Sequence, residues 1–232
     1  MSIFKKLFGQ KDDADASPPP AEPPESSSGD IAPELAPALQ ALENEEFEKV
    51  VALASPHVEN SADANRLCAL ACSRMGRWPE AFNHWLHLFD LEPSAHNALQ
   101  LASSSVMCHE IDRGEAWLQK YHEINEKSGE MPVIAAYLNF TSAFEQAGHP
   151  ERAMPYLTWI RDVYAHLNIT DDTFLYMRGV PFFSSFLEKS LPYLKASMNL
   201  ESGIAWYREL EGKLDEAGEQ TLRAWIAHLP EA

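Results

Sequence analysis

From residue 33 to residue 230 the sequence repeats one pattern: apolar residues at helical spacing, cut at short intervals by glycine or proline. Leu67, Leu70, Ala71 and Met75 form one such stripe, and Phe82, Trp85, Leu86 and Phe89 form the next. Apolar residues recurring every three or four positions lie on one face of a helix. The cuts fall at Gly76, Pro93, Gly114, Gly129, Gly148-His149-Pro150, Gly179-Val180-Pro181 and Gly212. They leave helices of ordinary length joined by short connections, which predicts antiparallel neighbours. No stretch combines strict alternation with β-branched residues, so strands are not expected.

One segment carries more than periodicity. It runs Leu67-Cys-Ala-Leu-Ala-Cys-Ser-Arg-Met-Gly76-Arg-Trp78-Pro-Glu80-Ala81-Phe-Asn-His-Trp85-Leu-His-Leu88 and ends Phe-Asp-Leu-Glu-Pro93. Two helices approach closely only where one contact is small, and a large neighbour then fills the groove beside it. Ala69 and Ala81 are the small residues, Gly76 the turn, Trp85 the large residue one turn on, and Pro93 the stop. This segment resembles a tetratricopeptide repeat. Ala147-Gly148-His-Pro-Glu151-Arg152-Ala153 and Glu211-Gly212-Lys-Leu214-Asp-Glu216-Ala217 look like further copies. Glu46-Phe47-Glu-Lys-Val50 and Arg113-Gly-Glu-Ala116 are fainter ones. The equivalent small residues are read as Val50, Ala81, Ala116, Ala153 and Ala217, with intervals of 31, 35, 37 and 64. The family's period is about 34 residues. The last interval is close to double, so one distorted unit is expected around residues 168–198, where Gly179, Pro181 and Pro192 fall. The resemblance implies an all-α fold: a right-handed superhelical stack of five to six antiparallel helix pairs over residues 33–232.

Ahead of that domain lie two other regions. Residues 1–9, Met-Ser-Ile-Phe-Lys-Lys-Leu-Phe-Gly, are short, basic and amphipathic if helical. A frayed tail, a docking peptide and a weak membrane contact are all open readings of them. Residues 10–32 hold Pro18, Pro19, Pro20, Pro23, Pro24 and Ser26 to Ser28, and read as a disordered or extended linker. The whole chain has 18 Lys and Arg against 35 Asp and Glu, a net charge of −17. Most of that charge falls on the helical domain. A nucleic-acid binder shows a basic patch, so DNA and RNA are not expected partners. The three cysteines do not make a disulfide framework, and no apolar run is long enough for a membrane span. With no signal-peptide pattern at the start, a cytoplasmic setting is expected.

Groups that carry chemistry elsewhere read here as structural. Cys68 and Cys72 share a helix face beside Ala69 and read as buried packing residues. Cys108-His109 is contiguous, which rarely allows a nucleophile to meet its base. His84 and His87 are spaced as a ligand pair, but no third ligand is evident. Asn168-Ile-Thr170 matches a glycosylation acceptor that a cytoplasmic chain does not use. Glycine-rich phosphate loops, nucleophile elbows and calcium loops are missing from the sequence. Neither catalysis, a cofactor, a metal nor a small-molecule substrate is expected.

The resemblance implies a concave groove lined by the first helix of each pair. Arg66, Leu70 and Ser73 share that face in the best repeat, with Arg74 beside them. Leu138, Ser142 and Glu145 share it in the next clear copy, with Asn139 beside them. Of Trp85, Trp117, Trp159, Trp206 and Trp225, most are expected in the core, and Trp206 is placed on the groove face. The family's function is protein–protein interaction, so the expected partner is another protein or peptide held by these residues, in an adaptor or scaffold. The acidity supports an alternative: a dedicated inhibitor, immunity protein or chaperone for a toxin or secreted effector.

Overall fold

In a computed structural model, residues 31–229 are described. The segment read at 1–9 and nearly all of the linker read at 10–32 lie outside the described residues. Twelve α-helices follow one another: α1 (Ala36–Glu43), α2 (Phe47–Ala54), α3 (Ala62–Arg74), α4 (Trp78–Leu91), α5 (Ala95–Met107) and α6 (Ile111–Ser128). Then come α7 (Val133–Gln146), α8 (Met154–Leu167), α9 (Asp172–Met177), α10 (Phe183–Ser197), α11 (Leu200–Arg208) and α12 (Glu216–His228). No strand occurs among the described residues. In chain order the described helices fall two by two into six units, and from α1 to α6, and again from α7 to α8, each packs on the next. The first helix of the third pair also packs on that of the fourth, α5 on α7. A helical-repeat stack is the result, as expected.

The turn inside each pair explains the register. Five first helices end in the same way, on a residue with positive φ: Glu45, Gly76, His109, Gly148 and Gly179. At Gly76 the amide donates to the Ser73 carbonyl and Arg77 N–H donates to the Cys72 carbonyl. The paired bonds recur at Glu45, His109, Gly148 and Gly179. This is the Schellman cap, which satisfies the helix's last carbonyls and reverses the chain. Side-chain caps open several of the helices. Ser61, Ser94, Asp171 and Asn199 each accept the amide three residues on, starting α3, α5, α9 and α11.

Five residues beyond the first four of these turns stands a buried small residue: Val50, Ala81, Gly114 and Ala153. Ala116 was expected at the third position, but it is exposed and Gly114 makes the close contact. Likewise Ala217 is exposed and its neighbour Gly218 is buried. Alanine in the wrong place drew the register off because glycine reads as a break. The expected distorted unit is the pair α9–α10. Its first helix has six residues, and Pro192 sits inside its second.

The core is layered along the stack. One cluster joins the first two pairs around Leu35, Val50 and Leu67. A second surrounds Ala81, Trp85 and Leu101, and the largest runs from Ala95 to Leu229. Such layering is what nearest-neighbour stacking produces. Of the six tryptophans, only Trp85 is fully buried; Trp78, Trp117, Trp206 and Trp225 are half-buried. Trp159 is 39% exposed and meets the ring of Tyr137 edge-on at 4.9 Å.

Candidate functional site

The first helices of pairs two, three and four share one face, and a groove of about 1100 Å³ runs across it. Helix α3 brings Leu70, Ser73 and Arg74; α7 brings Leu138, Asn139 and Ser142. Between them α5 supplies Leu99, Gln100 and Ser103. The groove therefore brings together five of the seven residues read from the sequence: Leu70, Ser73, Arg74, Asn139 and Ser142. The other two lie outside it. Arg66 is on α3 but binds the carboxylates of Asp63 and Glu92, the latter at 2.8 Å. Trp206 packs between helices instead. Its indole N–H donates to Thr158 Oγ1 at 3.0 Å, and the Arg161 guanidinium lies 5.0 Å from its ring. Arg161 is itself buried and donates to the Trp206 carbonyl at 3.1 Å. Trp206 thus fastens α11 to α8.

The residues missed are those of α5. Its repeat lacks the turn glycine, because His109 takes the positive-φ position. The signal was present in Ser94, which caps α5, and in Ala98 and Ala102, the small buried residues four apart.

Leucine and methionine give the groove much of its apolar lining: Leu70, Leu99, Leu138, Met107 and Met131. Hydroxyls and amides line it as well. Ser103 Oγ–H donates to Asn139 Oδ1 at 3.0 Å and ties α5 to α7. Gln146 Nε2–H donates to Ser142 Oγ at 3.1 Å. Ser73 instead donates to its own helix, to the Ala69 carbonyl at 2.8 Å. Trp85 lies beneath, its indole N–H buried and without an acceptor among the described residues. At the start of α5, Glu130 accepts the amides of Ala95 and His96 at 2.8 and 3.2 Å. Burial pushes the His96 ring below the ordinary histidine range.

The remaining chemistry-bearing residues do not converge on this groove. Cys68 and Cys72 are buried in α3, and burial raises both thiols, Cys72 to about 11. Inert thiols of this kind pack as small hydrophobes. Cys108 is half-buried and likewise raised by burial. His84 contacts Asn65 Oδ1 at 3.3 Å, and the His109 ring meets that of His149. Among the described residues no three His, Cys, Asp or Glu side chains are grouped to hold a metal. Nor, among them, is any helix long and apolar enough to cross a membrane. No protein-family model matches the chain, and no curated protein matches it either.

Proposed function

We propose that this protein is a cytoplasmic binding module that holds a peptide segment of a partner protein in the groove of α3, α5 and α7. The carrying observation is the groove's construction. Three consecutive pairs each contribute their first helix to one opening of about 1100 Å³. Small-molecule pockets run to about 300–1,000 Å³ and enclose their ligand. This one is partly open, and leucines and methionines share its lining with amides and hydroxyls. Apolar side chains of a peptide fit the former, and its main chain fits the latter. Catalysis would require convergent titratable groups. Among the described residues the lining offers His96 and Arg74 alone, so binding is the better reading.

Ser103→Tyr/Ser142→Tyr fills the groove without changing charge. In affinity capture from the native lysate, the variant loses the partners that the wild type holds, while its circular dichroism is unchanged. Retention of the same partners at the same stoichiometry would overturn the proposal.

The net charge of −17 favours a second reading, a dedicated inhibitor or chaperone of a basic toxin or effector. Its acidic side chains would then act from faces outside the groove. A single partner held at nanomolar strength or tighter distinguishes it from an adaptor with several weaker ones.

A further inference from the structure

Resting on the groove as the binding site, we infer that the chain supplies its own first occupant: Ile3, Phe4, Leu7 and Phe8, which fill the groove until a partner displaces them. Among the first 30 residues, these and Met1 are the only ones with an apolar side chain larger than proline. Burying a Leu, Ile or Phe side chain gains about 1.5–3 kcal/mol. The lining offers the matching surface in Leu70, Leu99, Met107, Met131 and Leu138. Charge favours the same contact. Lys5 and Lys6 stand between the two apolar pairs, and residues 1–9 hold no Asp or Glu. Two exposed carboxylates adjoin the lining: Glu130 directly precedes Met131, and Glu145 follows Ser142 by one turn of α7. Their hydrogen bonds come from neutral groups, the amides of Ala95 and His96 and the Tyr193 hydroxyl, which leave the negative charges in place for lysine.

The connection is long enough. The described chain begins at Ile31, which packs on the first core cluster just ahead of α1. Helix α1 in turn packs on α3, which brings Leu70 and Ser73 to the groove. First helices of neighbouring pairs stand about 10 Å apart, so the groove lies within about 30 Å of α1. Residues 10–30 can span about 65 Å, at about 3.1 Å per residue for a proline-rich stretch. A segment linked in this way meets its site at an effective concentration of about 1 mM. A Kd as weak as about 0.1 mM would then fill about nine grooves in ten. It would also lower a competing partner's apparent affinity about tenfold.

The full-length protein with the photo-crosslinking amino acid benzoylphenylalanine in place of Phe4 tests this, irradiated in dilute solution and mapped by mass spectrometry. The expected product is a crosslink within one chain to groove-lining residues such as Leu99, Met107 or Leu138. Its yield is unchanged on further dilution. It falls about fivefold or more with Leu7→Asp/Phe8→Asp, and likewise with the filled groove of Ser103→Tyr/Ser142→Tyr. A crosslink to another face, to a second copy or to nothing overturns this inference, while leaving the groove as a partner's site. Should the filled-groove variant keep its lysate partners, the groove reading itself fails, whatever Phe4 reaches.

Discussion

Gly114 offers the sharpest test of how closely the pairs pack. Replacing a glycine inside a helix by alanine ordinarily stabilises by about 0.8–1 kcal/mol. At Gly114 the sign should reverse. An added Cβ would lie 2.7 Å from Val106 Cγ2 and 3.0 Å from the Ala102 carbonyl oxygen, both on α5. Neither neighbour has room to retreat, since Val106 and Ala102 are fully buried. Overpacking of this kind costs about 1–3 kcal/mol. Set against that gain, Gly114→Ala should lose up to about 2 kcal/mol net. For a domain of this size each kcal/mol moves Tm by about 2–4 °C, so thermal unfolding should fall by up to about 8 °C. Val106→Ala removes the side-chain half of the clash but leaves the backbone half. The double variant should thus recover part of the loss, by about 0.5 kcal/mol or more of coupling. A rise in Tm for Gly114→Ala, or strict additivity in the cycle, would refute the close α5–α6 contact.

Three further outcomes follow from the same geometry. At the pair turns, Glu45→Gly and His109→Gly should stabilise by about 0.5–1 kcal/mol, and Gly76→Ala should destabilise by a similar amount. Chemical denaturation checks this, and opposite signs would remove the shared turn. Ala81→Trp, at a fully buried contact, should cost about 3 kcal/mol or distort the stack. Unchanged helicity and Tm by circular dichroism would show the register to be wrong. Asp215 caps α12 and accepts both the amide and the hydroxyl of Thr170. Burial raises its carboxyl, but these bonds outweigh it and hold it below the ordinary 3.8. A depressed carboxylate stabilises above its unfolded value, and that stability is lost as pH falls through the folded value. Asp215→Asn should therefore be less stable than wild type at pH 7, with the gap closing below about pH 4. A gap that is constant or grows in acid would contradict the assignment.

The sequence showed the helices clearly because each one carries an apolar stripe, and it showed the turns wherever glycine takes the positive-φ position. It failed where another residue takes that position. His109 supports the same cap as Gly76 without the glycine that marks it. The third unit was consequently read five residues late in its turn, at Gly114 rather than His109, and two late at its small contact, at Ala116 rather than Gly114. The groove was legible on α3 and α7, whose units follow clear turns, and not on α5. Trp206 was assigned by counting back from the copy at Gly212. Its placement is decided by Arg161 and Thr158, which lie far away in sequence and are invisible to periodicity. Net charge also misleads at short range. A total of −17 says little about a groove whose described lining holds no carboxylate.

The central claim is that the groove of α3, α5 and α7 is the binding surface. A photo-crosslinking amino acid placed at Ser103, inside the groove, and separately at Glu126, exposed on α6, tests it in the living native cell. The account predicts a discrete crosslinked partner from Ser103 and none from Glu126. Capture of that partner from Glu126 while Ser103 stays silent would contradict it.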